Sequence, residues 1–238
     1  MNIIIGPPGT GKTSALLSLV EKHIEDGIPP DRIGYFAFTN RASNEAKERA
    51  CDIFNFDSDG LPFFRTLHSL AFQQLGLSRS QVFNEDQKKE FGDIMGLQIT
   101  GKSSFEEGSF SFSKKGDQIL GTIEVARVRG VTAHSQWLKE NSDINWYEVD
   151  RAERGLSEFK KQRHLYDFTD MLSLFVAQDV APALDVIFID EAQDLSFLQW
   201  QLVNKLQEKS KHVYIAGDDD QAIFRWAGAD VNHFLSLE

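Results

Sequence analysis

The chain has 238 residues, 41% of them hydrophobic, enough to bury a core as one large domain or as one domain with a smaller insert. Its single cysteine, Cys51, excludes an intramolecular disulfide and suits a reducing, cytoplasmic setting; no apolar run approaches the ~20 residues of a membrane span, and no signal peptide precedes the first apolar run. A formal net charge of −11 excludes nucleic-acid binding by bulk attraction, so any such site must be local, made from backbone N–H groups, hydroxyls, aromatics and a few cations.

Met1–Ile5 reads as a buried strand that runs into Gly6-Pro-Pro-Gly-Thr-Gly-Lys-Thr13, a match to G-x-x-x-x-G-K-[ST]. Leu16, Leu17, Val20 and Ile24 then recur at helical spacing. Successive backbone N–H groups must turn inward to cradle phosphate oxygens, and glycine tolerates the positive φ that this requires. The following helix N-terminus adds a positive dipole end. Gly6, Pro7, Pro8, Gly9, Thr10, Gly11, Lys12, Thr13 and Ser14 are therefore the candidate nucleotide contacts. Lys12 can reach the β/γ-phosphates and the Thr13 hydroxyl can hold Mg²⁺.

Gly27-Ile-Pro-Pro-Asp31 breaks the pattern as a loop. Ile33–Phe38 reads as a second buried strand ending at Thr39-Asn40, a pair suited to capping a helix that carries Ala42, Ala46 and Ala50. Phe63–Leu67 reads as a third strand, again feeding a helix through His68, Ser69, Leu70 and Phe72. From Gly76 to Leu165 the texture changes. Phe105, Phe110 and Phe112 sit among glycine and serine, Lys114-Lys-Gly-Asp117 reads as a turn, and Ile119–Val128 and Tyr147–Arg163 read as helices. Arg151, Arg154, Lys160, Lys161 and Arg163, with Glu153 and Glu158 between them, read as a solvated helix face.

The alternation of strands and helices resumes near Tyr166. Asp185-Val-Ile-Phe-Ile-Asp-Glu191 is an apolar strand that delivers two carboxylates at its C-terminal end. Leu195, Leu198, Leu202 and Leu206 mark one face of the next helix, and Val213–Ala216 is a last strand running into Gly217-Asp-Asp-Asp-Gln221. Apolar strands separated by helices imply an α/β fold with a parallel sheet covered on both faces. Ligands of such a sheet sit beyond the carboxyl ends of its strands. Asp190 is then placed to hold Mg²⁺ opposite Thr13, Glu191 to orient or deprotonate an attacking water, and Gln221 to bond a γ-phosphate or that water. The implied chemistry is metal-assisted hydrolysis of a nucleoside triphosphate, with Lys12, Glu191 and Gln221 as the catalytic set.

Six segments stand in order along the chain: Gly6-Pro-Pro-Gly-Thr-Gly-Lys-Thr13, Ala37-Phe-Thr-Asn-Arg-Ala42, Thr66-Leu-His-Ser-Leu-Ala71, Asp167-Phe-Thr-Asp-Met-Leu172, Ile189-Asp-Glu-Ala-Gln-Asp194 and Gly217-Asp-Asp-Asp-Gln-Ala-Ile-Phe-Arg-Trp226. Together they resemble the first half of a UvrD/Rep-type superfamily 1 helicase. The resemblance implies a RecA-like P-loop NTPase motor domain at 1–75 and 166–238, with a mainly helical insert at 76–165. It implies ATP and Mg²⁺ as cofactors and single-stranded DNA as partner, with Phe38, Thr39, Asn40, Thr66, His68, Phe224 and Trp226 lining the strand path. Aromatic stacking and phosphate contacts from hydroxyls and helix termini need no net positive charge, which reconciles this with the acidic composition. Ser14, Phe224 and Ala227 stand where the family often has arginine, tyrosine and a basic residue. The second motor domain of the family, with its γ-phosphate arginines, is expected outside this chain, so the chain alone should be a monomer that hydrolyses ATP slowly. A nucleotide-gated clamp, loader or switch would explain the phosphate loop and Asp190-Glu191, but not Phe38-Thr-Asn40, Thr66-Leu-His68 or Phe224-Arg-Trp226. The motor half of a helicase–nuclease is a third reading, to which these segments do not speak.

Overall fold

The computed structural model describes residues 1–7, 9–101, 114–140, 143–218 and 228–237. Pro8, Gln221, Phe224 and Trp226, and the phenylalanines Phe105, Phe110 and Phe112, lie outside the described residues. Five strands, β1 (Asn2–Ile5), β2 (Ile33–Ala37), β3 (Phe64–Thr66), β4 (Val186–Ile189) and β5 (His212–Gly217), form one sheet in the order β1-β5-β4-β2-β3. Every pairing is parallel.

The apolar runs make this possible because successive side chains point to opposite faces and both faces are covered. Ile33, Tyr35, Ala37, Val186 and Phe188 pack with Leu16, Leu17 and Val20 of α1 (Lys12–Glu25) and with Ala46 and Ala50 of α2 (Asn40–Phe54). Their neighbours Phe36, Ile187, Ile189, Val213 and Ile215 pack on the other face. There they meet α3 (Leu67–Gln74), α8 (Phe168–Gln178) and α9 (Phe197–Gln207). Strand β1 departs from the buried run that its composition suggests. Among the described residues it is an edge strand, paired with β5, and Asn2 and Ile5 are exposed.

Residues 83–165 build a separate core from α4 (Glu85–Met95), α5 (Lys115–Val128), α6 (Ala133–Glu140) and α7 (Trp146–Arg163). Phe91, Ile119, Ile123, Val149 and Ala152 are its deepest members. Helices α4 and α6 are absent from the sequence expectations; α4 is marked at its ends by an Asn84/Gln87 capping box and a left-handed Gly96. The turn expected at Lys114–Asp117 is not there. Lys115, Gly116 and Asp117 open α5, and Asp117 is buried because it accepts from the Thr100 backbone N–H and hydroxyl, both at 2.9 Å. Gly116 lies so close to the Gln98 carbonyl that a Cβ would sit 2.4 Å from its oxygen, so the glycine serves contact and not a turn.

The solvated-face reading of the basic segment also needs correcting at Lys160, which is buried. Its ammonium donates to Asp167 and Asp170 at the start of α8, where Arg127 of α5 meets the same two carboxylates. Burial alone would raise the Asp167 carboxyl, but Arg127 and Lys160 overcome it and hold it well below the usual carboxylate range. Arg163 does remain at the surface, paired with Glu90 and lying over the Phe159 ring. Among the described residues, no helix is long and apolar enough to cross a membrane.

Candidate active site

Strand register fixes what meets at the carboxyl edge of the sheet. Ile5 is level with Gly217, Ile189 with Phe36, and Ala37 with Thr66. Reading across the edge therefore gives the loop after Gly6, then Asp218, then Asp190-Glu191, then Phe38-Thr39, then Leu67-His68. With strands ~4.8 Å apart, the phosphate loop and the His68 end are separated by about 19 Å.

At the loop end, Gly9 and Gly11 adopt φ of 73° and 82°, the left-handed conformation that lets successive N–H groups face one side. Gly11 is the N-cap of α1, so the helix dipole begins beneath the loop. Thr10 Oγ1 donates to the Pro7 carbonyl at 2.7 Å and braces the turn. The Lys12 ammonium folds back over the loop, donating to the Gly6 carbonyl at 2.6 Å and lying 4.0 Å from Asp218 Oδ2. These are replaceable contacts for a cation that an incoming phosphate could capture. Ser14 is exposed and follows Thr13 into α1.

Thr13 Oγ1 donates to Asp190 Oδ2 at 2.9 Å, across 177 residues of sequence. Asp190 is 3% exposed. The same oxygen accepts from the Tyr35 hydroxyl at 2.6 Å, and Oδ1 accepts from the Glu191 N–H at 3.0 Å. Burial first, and the charge of Asp190 second, push the Tyr35 phenol well above its ordinary value, so it remains a neutral donor. Magnesium takes oxygen ligands at ~2.0–2.1 Å in an octahedron, whose adjacent ligands lie about 2.9 Å apart. The Thr13 and Asp190 oxygens fit that edge. No group of three or more His, Cys, Asp or Glu able to cage a metal occurs among the described residues, so an ion here would need phosphate and water to complete its shell.

Glu191 has a φ of 54°, unusual for a residue with a side chain and costing about 1–2 kcal/mol. Its Oε2 accepts from Gln193 Nε2 at 2.8 Å, while Gln193 Oε1 accepts from the Asp218 N–H at 2.9 Å. Nearby Asp194 is pushed up to about 7 by burial and then by the charge of Glu191.

At the other end of the edge, Thr39 and Thr66 are helix N-caps: Thr39 Oγ1 accepts from the Ala42 N–H at 3.1 Å and Thr66 Oγ1 from the Ser69 N–H at 3.2 Å. Asn40 is exposed, whereas Thr66 is buried, placed as a cap and not as surface. Phe38 is half-buried against the core, and His68 packs edge-on to the Phe168 ring at 5.6 Å. The structure thus brings Lys12, Thr13, Asp190 and Glu191 to one end of the edge, and Phe38, Thr39, Asn40 and His68 to the other. Three residues that shape the first group escape a sequence reading: Tyr35, Gln193 and Asp218. Gln193 and Asp218 lie inside quoted segments, and that is their only signal. Tyr35 gives none, being one more apolar residue of a buried strand.

A parallel α/β sheet with this loop, and with an acid from a second strand facing the loop threonine, defines a P-loop nucleotide-binding domain. Its family follows from comparison: the UvrD/REP helicase N-terminal domain model matches residues 1–238, and the chain belongs to that family. It is similar to the ATP-dependent DNA helicase PcrA of Staphylococcus aureus, with 26% identity over 256 residues covering 99% of this chain and 33% of that protein. It is also similar to a probable DNA helicase II homolog of Mycoplasma capricolum, with 27% identity covering 98% of this chain and 34% of the relative. The chain spans about a third of the length of the curated relatives it matches.

Proposed function

We propose that this chain is the ATP-binding half of a motor that couples ATP hydrolysis to movement along single-stranded DNA and to strand separation. Lys12 and the loop N–H groups bind the β- and γ-phosphates and stabilise charge as it develops on them. Thr13 and Asp190 would hold Mg²⁺, which when bound neutralises charge on the same phosphate oxygens. Glu191 accepts the proton of the attacking water or orients it, and Gln221 senses the γ-phosphate. Phe38, Thr39, Asn40 and His68, together with Phe224 and Trp226, form the strand path, and Thr66 contributes through the α3 N-terminus that it caps. Residues 1–75 and 166–238 constitute the motor domain and 76–165 its insert, a division supported by the separate core of α4 to α7. A second motor domain closes the nucleotide site and supplies its arginines.

The observation that carries this reading is the meeting of Thr13 and Asp190 beside Lys12, on the edge where Phe38, Thr39 and His68 also emerge. The test is ATP hydrolysis by the full-length protein with and without single-stranded DNA, beside Lys12→Ala. The expected result is turnover that rises with the strand and falls at least ~100-fold in Lys12→Ala. A rate indifferent to both DNA and Lys12 would overturn it.

A further inference from the structure

Gln193 lies in the short turn Ala192–Asp194 just past β4, with 2% of its surface exposed. Both ends of its amide are used. A carboxylate can only accept and a backbone N–H can only donate, so the partners dictate its orientation: Nε2 to Glu191 Oε2 at 2.8 Å, Oε1 from Asp218 N–H at 2.9 Å. No other side chain reproduces this bridge. Asparagine is one methylene short, glutamate would set two carboxylates against each other, and methionine keeps the shape but loses both bonds.

The surroundings are built to admit the bridge. A Cβ on Gly217 would lie 2.9 Å from Gln193 Oε1, so the close approach of β5 depends on glycine there. Glu191 has a left-handed backbone, and its carboxylate takes its hydrogen bond from Gln193. Asp218 in turn faces the Lys12 ammonium at 4.0 Å. A continuous line of contacts thus runs from the Glu191 carboxylate through Gln193 to the exit of β5 and on to Lys12. In the sequence, Asp218 precedes Gln221 by three residues and Trp226 by eight.

We propose that Gln193 is a positioning residue for nucleotide hydrolysis: it holds the Glu191 carboxylate toward the attacking water and makes that orientation depend on where β5 places Asp218. The inference rests on the hydrolytic role proposed above for Glu191. It assigns to Gln193 the link by which movement at the exit of β5 is felt at the water.

The experiment uses the full-length protein with ATP and a single-stranded oligonucleotide. Gln193→Met should lower kcat about tenfold or more while KM for ATP remains near the parent value; because it leaves the buried Asp218 N–H unpaired, the melting temperature should also fall by a few degrees. A merely structural role would lower the melting temperature and spare kcat of the folded protein. Gln193→Glu still accepts from Asp218 but repels Glu191, so it should lose at least as much, and it serves if the methionine variant does not fold. In a Glu191→Gln background, followed by single-turnover hydrolysis, changing Gln193 should cost nothing further, because its effect passes through Glu191. A kcat within twofold of the parent for either single variant overturns the proposal, as do losses that multiply in the double variant. Lys12→Ala separates the two levels: if it hydrolyses ATP normally, the hydrolytic reading itself falls, whereas an inactive Lys12→Ala beside an indifferent Gln193→Met removes only the role of Gln193.

Discussion

Tyr35→Phe removes one oxygen from the buried centre of the site. The Tyr35 ring stacks on Phe64 at 5.2 Å and against Phe188 at 6.3 Å, and a phenylalanine keeps both contacts. What disappears is the 2.6 Å hydrogen bond to Asp190 Oδ2. A hydrogen bond to a charged acceptor contributes ~1.5–3 kcal/mol. Asp190 is not orphaned by the change, since Thr13 still donates to Oδ2 and the Glu191 N–H to Oδ1, so the loss should be about 1–2 kcal/mol. Urea unfolding should show this as a lower midpoint at unchanged slope. The carboxylate also becomes free to turn, so Mg²⁺-dependent binding of a fluorescent ATP analogue should weaken ~5–10-fold, about 1–1.4 kcal/mol. A variant that unfolds at the parent midpoint and takes Mg²⁺ as the parent does would show that Tyr35 does not orient Asp190.

The contact between α5, α7 and α8 offers two further tests. Arg127→Met leaves Asp167 and Asp170 facing Lys160 alone, and uncompensated carboxylates that are mostly buried should cost about 3 kcal/mol in urea unfolding; a loss below about 1 kcal/mol would refute a structural role for the network. Glu124, on α5 in the same region, is pushed up to about 7 by burial, more strongly than Lys88 and Arg127 can pull it down. Its folded value lies above the unfolded one, so its contribution is present in full below about 4.5 and is lost as pH rises through about 7. Glu124→Gln should therefore be stabler than the parent at pH 8, by about 1–3 kcal/mol, and close to it at pH 4.5. Equal stability differences at the two pH values would refute the assignment.

Much of this molecule is legible along the chain, because its cues are local. The phosphate loop is a spacing of glycines that the backbone itself demands, and Thr39 and Thr66 cap α2 and α3 through bonds to residues three positions on. The strands β2, β4 and β5 announce themselves as apolar runs, since a parallel sheet covered on both faces leaves no polar alternation. Some of these local cues are polar, as in the Asn84/Gln87 box that starts α4. Burial of Lys160, the edge position of β1 and the loss of the expected turn at Asp117 belong to another kind. Each depends on a partner outside its own element: Asp167 and Asp170 at the start of the next helix, β5 beside β1, and Thr100 ahead of α5. The same holds at the site. Spacing could name Thr13 and Asp190, but only folding sets them 2.9 Å apart, turns the Tyr35 hydroxyl onto the same oxygen, and strings Gln193 between Glu191 and Asp218. Local geometry is written in neighbouring residues, whereas a hydrogen bond across 177 residues exists only once parallel strands have been laid side by side in a particular order.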